Sequence, residues 1–211
     1  MNTETSIIQK PEQQSSGEQK KEDMSERSVE SGLSDHIMLD IETLGTGPDA
    51  VILSIGACSV ATDQFGRPWV TYYDEIDPTQ AGRVTDISTV IWWMEQSLKG
   101  TTPPMCGIRP IEEILGDFNS WLHDDFIRPI VVWCKGTDFD IKILTHAMKQ
   151  HNIKPAWKYN NVRDCRTVFE LFPVAKEAIP ANENPHNALE DAIHQAAQLA
   201  YTARTYNFTL A

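Results

Sequence analysis

The sequence predicts an α/β layered fold, with a mixed five-stranded sheet flanked by helices. Two observations point there. Three apolar runs follow one another between residues 36 and 76, separated by turn-forming residues, and strand-like and helix-like segments then alternate to the end of the chain. A run of strands followed by alternating elements is the pattern of a layered sheet with helices on its faces.

The first strand is expected at about 36–41, where Ile37-Met38-Leu39 is continuously apolar. Gly45-Thr46-Gly47-Pro48 is rich in turn residues, and Val51–Ala57 (Val-Ile-Leu-Ser-Ile-Gly-Ala) gives a second strand. A turn at Asp63–Pro68 leads to a third strand over Trp69–Ile76, which completes an antiparallel meander. Residues Asp86–Leu98 read as a helix whose core-facing stripe is Ile87, Val90, Ile91, Met94 and Leu98. Pro110–His123 reads as a second amphipathic helix, with Pro110 suited to its first turn. The apolar run Pro129–Cys134 is a buried strand that passes through Lys135-Gly136-Thr137 into a helix from about Asp138 to His151. Val162-Arg163-Asp164 ends a short last strand, followed by a helix over Cys165–Phe172. The final helix is expected at about 185–204, with Asn184 as cap and Pro185 at its first position.

Residues 1–34 are rich in Gln, Glu, Ser and Lys and lack aromatics, so they are expected to be a disordered tail ahead of one domain over 35–211. Four widely spaced cysteines form no CxxC pair, which argues against a structural zinc site and a disulfide framework. Cys58 and Cys134 lie in apolar runs and read as small core residues, and Trp133 likewise. There is no internal repeat, no signal-peptide pattern and no apolar stretch of membrane-spanning length, which together predict a soluble cytoplasmic protein with no membrane partner. The net charge is −12, of which residues 1–34 carry −3. That sign excludes a protein that coats nucleic acid by long-range attraction, but not an enzyme that grips a few nucleotides locally.

Asp40 and Glu42 lie two residues apart at the end of the first strand, so both side chains leave the same face. Two carboxylates held that close repel each other, and a hard divalent cation is the usual partner that offsets the repulsion. Asp138 and Asp140 sit at a strand-to-helix junction, where strand ends commonly present catalytic groups. His186 and Asp191 fall in the first turns of the last helix. Each has a bland reading: Asp138 as an N-cap, His186 as a surface histidine, and Asp191 as solvated opposite an apolar stripe of Leu189, Ile193, Ala196 and Ala200.

Taken together, Asp40-Ile41-Glu42-Thr43 at a strand end, Phe139-Asp140 at a strand-to-helix junction and His186-x4-Asp191 near the end resemble the three signatures of the DEDDh class of 3′→5′ exonucleases, the DnaQ-like members of the ribonuclease H fold. The resemblance spans about residues 36–204 and looks closest to phage DexA-type exonucleases and related bacterial exoribonucleases, which suggests a bacterial or phage-infected cell. Gly136 departs from the Asn that many relatives carry there, and Asp140 is favoured over Asp138 because it follows the aromatic.

The resemblance implies a ribonuclease H-like five-stranded sheet and a two-metal phosphodiesterase with Mg²⁺ or Mn²⁺. In that scheme Asp40 bridges the two ions, Glu42 and Asp191 hold the ion that binds the attacking water, Asp140 supports the other through water, and His186 is the general base. It also implies that Thr43 and Leu44 contact the 3′-terminal nucleotide, although Leu44 reads equally as a core leucine. Trp92 points away from the apolar stripe of its helix and is a candidate for stacking on a base. Arg163 and Arg166 could bind phosphate, with pairing to the many acidic residues preferred. The expected substrate is the 3′ end of single-stranded nucleic acid, DNA ahead of RNA on the phage-type likeness alone. The rivals are an internally cutting ribonuclease H-like endonuclease and a binding module that has lost its chemistry. Relatives of this class are often dimers, and a homodimer is left open because the sequence shows no diagnostic interface.

Overall fold

The computed structural model describes residues 35–62, 67–126 and 129–210. The tail assigned to 1–34 and most of the turn at 63–68 lie outside them. Strands β1 (His36–Thr43), β2 (Ile52–Ser59) and β3 (Thr71–Glu75) are followed by α1 (Ile87–Leu98), α2 (Ile111–Asp125), β4 (Val131–Cys134), α3 (Asp140–Gln150), β5 (Val162–Asp164), α4 (Cys165–Leu171), α5 (Ala175–Ala178) and α6 (Ala188–Tyr206). The sheet order is β3-β2-β1-β4-β5. β1, β2 and β3 form the expected antiparallel meander, while β4 and β5 run parallel to β1. The sheet is therefore mixed, as the element order predicts.

Alternation along β1 divides the core. Ile37, Leu39 and Ile41 face α2 and α3, in a cluster with Ile114, Phe118, Leu144 and Met148. Met38 points to the other face, among Cys165, Phe169, Ala192, Ala196 and Leu199 of α4 and α6. Asp40 and Glu42 share the period of Met38 and so emerge on the α6 side. Cys58, Cys134 and Trp133 are buried, as expected of core residues. Among the described residues, no helix is long and apolar enough to cross a membrane.

Two faces differ from the sequence expectation. On α1 the predicted core stripe faces solvent: Ile87 is 73% exposed and Leu98 89%, with Ile91 and Met94 also exposed. Trp93 is the residue of α1 that is buried, at 1% exposure, against Leu44, Val51 and Leu53, with Val90 packed beside them. Its indole Nε1 donates to the Thr43 carbonyl at 2.9 Å, so the largest side chain on the helix is buried with its polar atom satisfied. A wheel of apolar residues cannot weigh that one anchor.

On α6 the buried residues are Ala188, Ala192, Gln195, Ala196, Leu199, Ala200, Thr202 and Ala203. Leu189 and Ile193, expected in the stripe, are only half-buried. The reason is Gly56 on β2: a Cβ there would lie 2.1 Å from the Ala188 carbonyl carbon, so helix backbone rests directly on the strand. That approach needs small residues on the contacting face. α6 also starts later than expected, capped by Asn187, whose side chain accepts from the amides of Leu189 and Glu190.

Candidate active site

The chemistry-bearing residues gather where β1, β4 and β5 end. Asp40 and Glu42 both lie within β1, opposite Gly56 and Ser54 of β2, and the register shifts between Glu42 and Thr43. Asp40 thus sits across from the glycine on which α6 rests, and α6 reaches back to it: Gln195 Nε2 donates to Asp40 Oδ1 at 3.1 Å.

Asp140 is the first residue of α3, buried at 3% exposure, and its Oδ1 accepts from the Ile41 amide at 3.2 Å, between Asp40 and Glu42. Asp138 lies outside this group, its side chain 96% exposed and paired with Lys142 at 3.4 Å. Asp140, and not Asp138, is therefore the aspartate that lies beside Asp40 and Glu42. Gly136, with φ of +137°, makes the turn, and its carbonyl accepts from the amides of Phe139 and Asp140.

His186 lies before α6 rather than within it, at φ of +68°, a left-handed conformation uncommon for a residue with a side chain. Asp191 holds it there. Its Oδ2 accepts from the His186 amide at 2.8 Å and its Oδ1 from Asn182 Nδ2 at 2.8 Å. One oxygen or nitrogen each from Glu42, His186 and Asp191 lie within 4.8 Å of one another. Asp191 is half-buried and faces this group, not solvent.

Burial is the main perturbation of the carboxylates. It raises Asp40 well above the ordinary range, with Asp140, Glu42 and Asp191 adding repulsion. It lifts Glu42 to about 8, again reinforced by Asp191 and Asp140, and Asp140 to about 7 against the pull of the Ile41 amide bond. None of the four carboxylates makes an ion pair with Lys or Arg among the described residues. A cluster of hard oxygen donors with no Lys or Arg paired to it among the described residues fits a divalent metal. Asp40, Glu42, Asp140 and Asp191 are the residues that would hold it.

Beside this cluster opens a cleft of about 370 Å³, lined by Glu42, Thr43, Gly45, Thr46, Ser88, Thr89, Trp92, Trp93 and Phe139. Trp92 is 37% exposed in it, and its ring meets that of His186 edge-on, with centroids 4.8 Å apart. Thr43 lines the cleft while its hydroxyl donates to the Gly45 carbonyl. Leu44 does not line it. Leu44 is buried with Val51, Leu53 and Trp93, in keeping with its reading as a core leucine and not as a wedge against a base.

Sequence reasoning missed Gln195, Asn182, Trp93, Ser88 and Thr89. Gln195 was within reach, because it stands one helical turn after Asp191 and so shares its face. Trp93 was hidden by the apolar stripe, and Asn182 lies in irregular chain that no periodicity flags.

Residues 35–203 match the family described as the 3′-5′ exoribonuclease Rv2179c-like domain. Comparison with curated proteins returns no match. Among solved structures, the nuclease domain of 3′hExo, a DEDDh family member bound to rAMP, is 14% identical with a TM-score of 0.57, over 82% of this chain and 93% of that one. Pop2p of S. pombe in its Mg²⁺- and Mn²⁺-bound form is 11% identical with a TM-score of 0.59, over 92% of each chain. At such identities the likeness shows the fold, that of the ribonuclease H-like DEDDh nucleases.

Proposed function

The chain belongs to the Rv2179c-like family of 3′-5′ exoribonuclease domains, and from that premise we propose that this 3′→5′ exonuclease removes nucleotides one at a time from the 3′ end of single-stranded RNA, with divalent metal at Asp40, Glu42, Asp140 and Asp191. The observation that carries the reading is the juxtaposition of those carboxylates and His186 with a cleft the size of a small-ligand pocket. The expectation of DNA rested on a phage-type likeness; the family's own description favours RNA.

Two divalent ions, when bound, supply charge stabilisation at the scissile phosphate and an activated water. The chain's own residues do the rest. The cleft takes the terminal nucleoside, with Trp92 offering a ring on which any base can stack and Thr43 flanking it. His186, at its ring nitrogen near Glu42 and Asp191, accepts the proton of the attacking water. Asp191 fixes the histidine backbone, and Trp92 limits the ring's swing. Gln195 orients Asp40 through a hydrogen bond.

A time course on 5′-labelled RNA and DNA of matched sequence, in Mg²⁺, in Mn²⁺ and in EDTA, tests the reading. A ladder shortening from the 3′ end, faster on RNA and abolished by EDTA, is expected. His186→Ala and Asp191→Asn should each lower turnover by about a thousandfold, while Asp138→Asn, which removes a solvent-facing charge, should not. Near wild-type turnover in either of the first two sinks the mechanism. Random internal fragments favour an endonuclease, and binding without cleavage favours a module without chemistry.

A further inference from the structure

Arg166 is a cation at the acid-lined end of the sheet that the site above does not use. It is the second residue of α4, which begins directly after β5. Its guanidinium Nη2 donates to the Lys135 carbonyl at 2.8 Å, and its amide is capped by Asp164 Oδ1 at 2.9 Å. The guanidinium lies beside Gly136, where a Cβ would stand 3.5 Å from Nη2, an ordinary contact distance. Pairing with an acidic side chain was the preferred expectation for this residue. Yet in a chain of net charge −12 it makes no ion pair among the described residues. A guanidinium has five N–H donors, and among the described residues the only side-chain donation of Arg166 is to a backbone carbonyl. Its charge does reach Asp140, opposing the effect of burial there. Lys135, on the same turn, is exposed.

Topology gives this cation a direction. β1, β4 and β5 are parallel neighbours, so their C-terminal ends share one edge. Along that edge come, in order, the cleft and Glu42 at the end of β1, Asp140 after β4, and Arg166 after β5. Neighbouring strands are about 5 Å apart, a spacing comparable with one sugar–phosphate repeat. A strand whose last nucleoside fills the cleft, with its scissile phosphate at the carboxylates, continues in the 5′ direction toward Arg166.

We propose that Arg166, with Lys135 beside it, forms a phosphate subsite that binds the phosphate on the 5′ side of the penultimate nucleotide. This rests on the nuclease reading above. The planar fork of the guanidinium suits two phosphate oxygens at once, and the contact is blind to base identity. Longer strands fill the subsite with an internal phosphate, whereas a dinucleotide fills it only when it carries a 5′-phosphate, so the enzyme prefers the phosphorylated dinucleotide to the unphosphorylated one.

The test compares two ribodinucleotides of the same bases, with and without a 5′-phosphate. Each is measured for KM and kcat in Mn²⁺, and for binding in Ca²⁺ by competition against a fluorescent single strand. The wild-type protein should show a KM about tenfold lower for the phosphorylated form, with kcat little changed. Arg166→Ala and Arg166→Gln should abolish that advantage, and Arg166→Lys should keep part of it. Thermal melts of the three variants exclude misfolding as the cause. A wild-type enzyme indifferent to the 5′-phosphate, or an Arg166→Ala variant that keeps the advantage, overturns the subsite. So does an equal loss on both dinucleotides, which would place Arg166 in support of Asp140. Arg166-dependent preference in binding without any cleavage would leave the subsite standing and sink the nuclease reading instead.

Discussion

His36 opens β1 with its Nδ1 accepting a 2.9 Å hydrogen bond from Trp133 Nε1, both rings buried. An indole N–H can only donate, so Nδ1 must be unprotonated. Burial, helped by the charge of Arg163, lowers the pKa of this histidine to about 4. The sign follows from linkage: as pH falls through about 6.5 the unfolded chain takes the proton first, so stability declines from there to about pH 4. The loss amounts to about 3 kcal/mol. The difference in stability between the wild-type protein and His36→Gln, which keeps an acceptor, isolates this contribution and should change by that amount between pH 7 and pH 4 in chemical denaturation; a difference constant with pH refutes the assignment. At this scale the sequence was informative where backbone geometry alone places a side chain. Period two along β1 put Asp40 and Glu42 on one face, while the preference for Asp140 over Asp138 came from the family resemblance, through the aromatic before it. It was silent where placement depends on a partner far along the chain, as for the bond between Gln195 and Asp40 or between Trp133 and His36.

At the scale of elements, the contact of α6 with β2 at Gly56 and the outward stripe of α1 make opposite forecasts. Gly56→Ala drives a methyl into helix backbone that has no side chain to rotate away. It should cost about 3 kcal/mol or more and, because α6 carries Asp191 and Gln195, should also depress turnover in whatever protein remains folded. Leu98→Ala on α1 removes an apolar side chain from water and should change stability by less than about 0.5 kcal/mol. Urea denaturation of both variants checks this. A large loss for Leu98→Ala would mean that the stripe is covered in solution. Helix existence was legible from periodicity in both cases, but the buried face was not. On α1 one tryptophan with a satisfied N–H outweighs four aliphatic residues, and on α6 the closeness permitted by a glycine on another strand selects alanines over Leu189 and Ile193.

Across the whole molecule the acidic cluster sets a second pH dependence, opposite in sign to that of His36. Asp40, Glu42 and Asp140 are raised by burial and mutual repulsion. The folded protein therefore retains protons that the unfolded chain has released above about pH 4, and metal-free stability falls as pH rises toward about 8. Metal competes with those protons and relieves the repulsion, so Mn²⁺ should raise the melting temperature relative to EDTA by several degrees at pH 8 and by clearly less at pH 6. Equal shifts at the two pH values would show that these carboxylates are not the ligands. Strand and helix order over the whole chain was readable because each element carries its own period. The way those elements close on one another was not, since the site depends on contacts of long sequence separation. The hydrogen bond between Gln195 and Asp40 spans 155 residues. A polypeptide still emerging during synthesis holds the first two carboxylates long before α6 exists to bring Asp191 and its neighbouring histidine. On the proposed function the site of such a chain is incomplete, and hydrolytic competence arrives only when the last helix docks.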